Sequence, residues 1–208
     1  AMPGIRSAAK RFLADHGDLA RAELVELVAA LWNEPVYERR ALAVKLLEAR
    51  VKLLEAHHLS LIERLLRESR TWALVDALAA SVAGPLLERC DDADAVLDAW
   101  AGDEDFWIRR SALLTHLGPL RAGAGDFERF GRYADAMLEE KEFFIRKAIG
   151  WVLRDTARKR PDLVYEWIAA RTDRASGVTV REAVKRLDAE ARERVLEAYR
   201  QKRVTGDA

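Results

Sequence analysis

The sequence predicts an all-α protein, a right-handed α-solenoid of helix pairs (an α-α superhelix), on three observations. A seven-residue pattern occurs five times, starting at Val36, Thr71, Phe106, Phe143 and Val178, with offsets of 35, 35, 37 and 35 residues. A period in that range is one helix pair, a unit that buries its apolar face only by stacking on its neighbours. Half of the 208 residues are hydrophobic and 34% are charged, the balance of densely helical, soluble protein. No segment reads as a convincing strand.

The elements follow in order. Pro3 sits where a first-turn proline opens a helix carrying Ile5, Ala8, Ala9, Phe12 and Leu13, which His16-Gly17 ends. Asp18 is placed to cap the next helix, where Leu19, Leu24, Leu27, Val28 and Leu31 form an apolar stripe up to Pro35. A long helix is expected from Tyr37 to about Glu55, then one from Leu59 to Arg70. Thr71 is the expected N-cap of the Trp72 helix, which Gly84-Pro85 interrupts. Later helices are expected near 92–101, 105–117, 125–139, 142–159, 161–171, 179–187 and 190–203, with Gly118-Pro119, Gly123–Gly125, Pro161 and Gly177 between them. Linkers are short throughout, so residues 1–208 are expected to form a single repeat domain of about five helix pairs.

Composition narrows the setting. One cysteine, Cys90, excludes an internal disulfide framework and fits a reducing cytoplasm. No uncharged stretch is long enough to span a bilayer, and the N-terminus lacks a signal-peptide core, so an intracellular protein without membrane contact is expected. Net charge is zero but uneven: residues 1–140 carry 18 Lys/Arg against 24 Asp/Glu, and residues 141–208 carry 17 against 11. The basic C-terminal third suits phosphate, although on charge alone a solvated helix surface of mixed charge is the favoured account.

Ordinary catalytic chemistry is largely excluded. His16, His57, His58 and His116 do not pair with Cys or carboxylates at metal-ligand spacing, so no metal site is expected. There is no phosphate-cradling glycine loop and no nucleophile elbow, and Cys90 beside Asp91 and Asp92 is poorly placed to become a thiolate. What remains is aromatic and carboxylate chemistry on the repeated helices. Trp72 and Asp76 are four residues apart, hence on one helical face, while Arg110 and Trp151 lie on later pattern-bearing helices. A Trp at helical spacing is usually core. Arg109-Arg110 also suit plain salt bridges to Asp103, Glu104 or Asp105. Asp76 is harder to dismiss, because a carboxylate among apolar neighbours costs free energy unless it is paired. Residue chemistry alone leaves both readings open.

The run Glu142-Phe143-Phe144-Ile145-Arg146-Lys147-Ala148-Ile149-Gly150-Trp151-Val152-Leu153-Arg154 resembles the signature of the AlkD-like DNA alkylation repair family, HEAT-like repeat DNA glycosylases. Phe106–Ala112 resembles the family's preceding motif and Arg181–Leu187 its closing one; the likeness runs from about Met2 to Arg186. It implies HEAT-like helix pairs and a chain lacking the helices that many members place ahead of Pro3. It further implies Trp72 and Trp151 as aromatic walls of a lesion site, Asp76 as catalytic carboxylate and Arg110 as the arginine at the nucleic acid. Arg109, Arg146, Lys147, Arg154 and Lys185 are the further DNA contacts expected. The implied activity is excision of positively charged N3- or N7-alkylated purines from double-stranded DNA, in base excision repair. No cofactor is expected; the setting is a monomer in the bacterial cytoplasm, at the nucleoid when bound to DNA. The alternative is a non-catalytic HEAT-repeat paralogue that binds DNA structures or a protein through its concave face.

Overall fold

The computed structural model describes the backbone of residues 2–206 and the side chains of residues 2–201. Among the described residues every regular element is helical: α1 Met2–Asp15, α2 Arg21–Trp32, α3 Tyr37–Ala49, α4 Leu59–Ser69, α5 Trp72–Leu78, α6 Gly84–Leu87, α7 Ala93–Ala101, α8 Phe106–Leu114, α9 Leu117–Arg121, α10 Phe127–Ala136, α11 Phe143–Thr156, α12 Pro161–Ala169, α13 Gly177–Ala183 and α14 Ala189–Gly206. No helix of the described residues is long and apolar enough to cross a membrane.

Packing groups these helices into two compact units, residues up to Val96 and residues from Leu97. In the first, pattern-bearing α3 packs against α1, α2 and the next pattern-bearing helix α5, which rests on α4. In the second, α11 packs against α8, α9, α12 and, most extensively, α13. Each unit is therefore a stack of helix pairs in which one pattern-bearing helix leans on the next, the solenoid principle read from the period. The apolar spacing explains the burial. In α4, Ile62, Leu65, Leu66 and Ser69 form one inward stripe at helical period. In α3, Ala41, Ala43, Val44, Leu46 and Leu47 are buried on nearly all sides, as a helix sandwiched between neighbours requires. Burying each such Leu contributes about 1.5–3 kcal/mol.

The repeat is also written in the hydrogen bonds of the second unit. Arg110 donates to the Phe144 carbonyl, Thr179 to the Arg146 carbonyl, Arg121 to Asp155, Tyr133 to Asp98 and Arg160 to the Ala124 carbonyl, with partners 33 to 36 residues apart. One period of sequence is thus one step between neighbouring repeats. Four of this unit's helices are closed at their N-termini by side chains: Asp105, Asp126, Glu142 and Ser176 accept from Trp107, Arg129, Phe144 and Thr179 backbone N–H groups.

Several local expectations are corrected. Asp18 does not cap α2; Ala20 is the N-cap residue, and the Glu23 carboxylate accepts from its N–H at 2.8 Å. The long helix expected to Glu55 stops at Ala49 and gives way to 3-10 turns at Val51–Leu53 and Ala56–His58. Gly118-Pro119 does not break the chain but lies inside the short α9, because a proline in a first turn lacks only an N–H that would have no partner there. Gly84-Pro85 does not end the Trp72 helix either. The chain widens into a π turn at Ala79–Ala83, where the Gly84 N–H reaches back five residues to the Ala79 carbonyl, and α6 continues beyond it. Thr71 is the N-cap residue of α5 by position, yet its side chain makes no capping bond.

Candidate functional site

The five copies of the pattern can be compared position by position. The sixth position holds Ala41, Asp76, Ser111, Ala148 and Ala183. Four of these are small and at most 2% exposed, packed where pattern-bearing helices meet. Asp76 is the one acid, and it is only half-buried. The second position holds Tyr37, Trp72, Trp107, Phe144 and Thr179. Trp107 and Phe144 are absorbed into a cluster, with ring centroids 4.9 Å apart, and Phe106 stacks on Phe144 at 6.4 Å. Trp72 instead stands 56% exposed at the start of α5. The indole lies one helical turn before Asp76, on the same face of α5. The chain is led into this turn by Arg70, whose left-handed backbone (φ 47°) ends α4, and by extended Thr71. The π turn follows within one turn of Asp76, a widening frequent at functional sites.

In the second unit the fifth position of the pattern supplies Arg110, Lys147 and Glu182 on successive helices. Arg110 is 3% exposed; it donates to the Phe144 carbonyl and lies over the Phe144 ring, 5.8 Å from its centroid. On α11, Lys147, Trp151 and Arg154 recur at helical spacing along one face, and Trp151 is half-buried. Lys147 donates to Glu182 at 2.5 Å, Lys185 donates to the same oxygen at 2.9 Å, and Arg154 pairs with the other carboxylate oxygen. Desolvation lowers the Lys147 ammonium pKa, and the charges of Lys185, Arg154 and Arg110 lower it further. Cations thus stand here in excess of acids, a local field that favours an anion.

Arg109 and Arg146 are differently engaged. Arg109 forms a two-pronged pair with Glu140 at 2.8 and 3.0 Å and donates to the Asp103 and Glu104 carbonyls, so the expected partnership with this acidic stretch runs through its backbone. Arg146 donates Nε–H to the Glu140 carbonyl at 2.7 Å and lines a cavity of about 420 Å³ with Arg181, Ser176 and Tyr199. The structure therefore gathers the expected residues into two groups. Trp72 and Asp76 share one turn of α5, while Arg110, Lys147, Trp151 and Arg154 lie on α8 and α11 and Lys185 on the turn that follows α13. Glu182 escaped sequence reasoning. Its signal was a sign reversal at the fifth position, where Arg110 and Lys147 precede it.

Comparison with known proteins agrees with this architecture. The family model described as DNA alkylation repair enzyme matches residues 1–187. No curated protein matches the chain. Among solved structures, one described as a predicted DNA alkylation repair enzyme from Enterococcus faecalis aligns at TM-score 0.80 and 22% identity, covering 91% of this chain and 87% of its own. AlkD2 from Streptococcus mutans aligns at TM-score 0.67 and 20% identity, covering 91% of each chain. The smu.31 structure from Streptococcus mutans UA159 aligns at the same TM-score and identity, covering 89% of this chain and 94% of its own.

Proposed function

The chain belongs to the DNA alkylation repair enzyme family, and on that premise we propose that it is a DNA glycosylase hydrolysing the N-glycosidic bond of N3- or N7-alkylated purines in duplex DNA. The observation that carries the proposal is Asp76, a half-buried carboxylate where the other four copies carry small buried residues, one helical turn after an indole that is 56% exposed.

An alkylated purine of this class is cationic, so its bond to the sugar is already weakened and the base departs neutral. Trp72, one turn from Asp76, attracts the cation through its ring face by about 0.5–2 kcal/mol, and Trp151 on α11 offers a second ring capable of the same attraction. As the C1′–N bond breaks, its electron pair leaves with the base and the sugar becomes oxocarbenium-like. The Asp76 carboxylate stabilises that charge and orients a water against C1′; the water oxygen forms the new bond and its proton passes to solvent. A leaving group that departs uncharged needs no general acid, and no histidine is assigned to the reaction. Lys147, Arg154 and Lys185 supply phosphate contacts, while Arg110, 3% exposed, adds its charge from beneath and Arg109 and Arg146 add theirs to the same stretch. The setting that goes with this reading is a monomer in the bacterial cytoplasm.

The test is base release from methylated duplex DNA. Wild-type protein is expected to liberate 7-methylguanine or 3-methyladenine, and Asp76→Asn to lose release while retaining duplex affinity. Release by the variant at the wild-type rate would remove Asp76 from the mechanism. The acidic balance of residues 1–140, 18 Lys/Arg against 24 Asp/Glu, favours a second reading, a non-catalytic repeat protein that binds DNA structures or a protein. That reading predicts no base release and affinity indifferent to Asp76→Asn.

A further inference from the structure

We infer that Glu182 is the positioning residue of a phosphate-binding cation cluster, holding Lys147, Arg154 and Lys185 in one fixed arrangement before DNA arrives. This rests on the DNA-binding reading above and adds the residue that organises it.

Glu182 is 3% exposed in α13, and both of its carboxylate oxygens are occupied. Oε2 accepts from Lys147 at 2.5 Å and Lys185 at 2.9 Å, and Oε1 pairs with Arg154. The cations themselves stay open to solvent, with side chains 40%, 53% and 26% exposed for Lys147, Lys185 and Arg154. An acid enclosed beneath three accessible cations is not a neutral ion pair: Glu182 anchors all three, and although Arg154 also reaches Asp155 at 3.4 Å, cations outnumber the two acids and leave the outward surface positive. The Lys147 pKa is lowered partly by the neighbouring cations, so their crowding is itself unfavourable without an anion.

The backbone is arranged to allow this. Gly150 lies on α11 between Lys147 and Arg154, where a Cβ would stand 2.6 Å from the Glu182 Cβ and 2.9 Å from the Thr179 carbonyl. Only a glycine lets α13 approach closely enough for the acid to sit among cations on α11 and on the following turn, Val184–Arg186. Long cationic side chains ordered in advance lose less freedom when they bind, which is where such an anchor increases affinity.

Simple electrostatics and positioning predict opposite signs. Glu182→Gln removes a negative charge from beneath the cluster, so a bystander carboxylate predicts tighter DNA binding. A positioning carboxylate predicts weaker binding, because the amide NH2 presents donors to side chains that are themselves donors. The experiment is duplex DNA affinity across a salt series for wild type, Glu182→Gln, Glu182→Asp and Lys185→Met, with thermal melts alongside. Glu182→Gln is expected to weaken binding about tenfold and to reduce the slope of log affinity against log salt by about 0.9, one phosphate contact. Equal or tighter binding by a folded Glu182→Gln protein overturns the inference. If that variant does not fold, Glu182→Asp decides, since it keeps the charge and shortens the reach: weaker binding supports positioning and wild-type affinity overturns it. Wild-type protein without salt-dependent duplex binding would instead remove the DNA reading on which both proposals stand.

Discussion

Gly150→Ala separates helix propensity from close packing at the α11–α13 contact. In an ordinary helix interior this substitution stabilises by about 1 kcal/mol, because alanine loses less backbone freedom and shields the chain. Here the added methyl would lie 2.6 Å from the Glu182 Cβ, 2.9 Å from the Thr179 carbonyl oxygen and 3.2 Å from the Glu182 Cγ. None of these is the far end of a flexible side chain. Relief therefore requires α13 to move off α11, and overpacking of this kind costs about 1–3 kcal/mol. With two contacts under 3 Å, one to backbone, the upper part of that range applies. The net effect is destabilisation by about 1.5 kcal/mol, or about 3–6 °C in melting temperature for a chain of this size. Gly4→Ala is the matched control: Gly4 lies in α1 with nothing within 4 Å of its would-be Cβ, so a gain of up to about 1 kcal/mol is expected. Thermal unfolding followed by circular dichroism reads both. A Gly150→Ala protein that melts at or above the wild-type temperature would refute the close-approach argument, and with it the account of how Glu182 is seated.

Three further outcomes follow from named groups. Burial lowers the His116 imidazole pKa from 6.5 to about 4, so unfolded chain binds a proton between those values that the folded chain refuses. Stability is complete above pH 6.5 and declines as pH falls towards 4, by up to about 3 kcal/mol; His116→Phe should flatten that limb of a melting-temperature profile, and an unchanged limb would show another group responsible. The pairing of Asp135 with Arg171 and Arg174 lowers its carboxyl pKa, so its share of stability is present above 3.8 and lost below it, distinguishable by window. Trp72→Ala should leave the stability within about 0.5 kcal/mol of wild type, since the ring is 56% exposed, yet impair base release. Trp100→Ala should cost about 3–5 kcal/mol, the indole being 2% exposed. Equal destabilisation by the two would place Trp72 in the core.

The scaffold was legible because it is written by period. The starts of α8 and α11 fall within a residue of where the sequence places them, at the pattern copies beginning with Phe106 and Phe143, and the apolar stripe of α4 follows from spacing alone. What misled was chemistry that depends on context. Pro85 reads as a breaker, but the preceding π turn moves the Gly84 N–H to the Ala79 carbonyl and carries the helix through. Asp18 reads as a cap, but Glu23 reaches back to Ala20 instead. Both outcomes turn on which of several nearby groups makes the hydrogen bond, and residue type alone does not encode that.

The candidate site divides along the same line. Asp76 stands out in the sequence because a repeat supplies its own control: four sister positions hold small residues packed out of solvent and the fifth departs from them, with Trp72 one turn before it. Glu182 departs too, yet it reads as one more surface acid until α11 and α13 are packed and three cations are found around it. A register comparison exposes any position that breaks the pattern, but the meaning of the break comes from partners one period away. Lys147 and Arg154 lie 35 and 28 residues from Glu182, and only the close contact at Gly150 brings them to the same carboxylate. In stacked repeats, functional side chains therefore have to be read in pairs one period apart, with the glycine that sets their spacing.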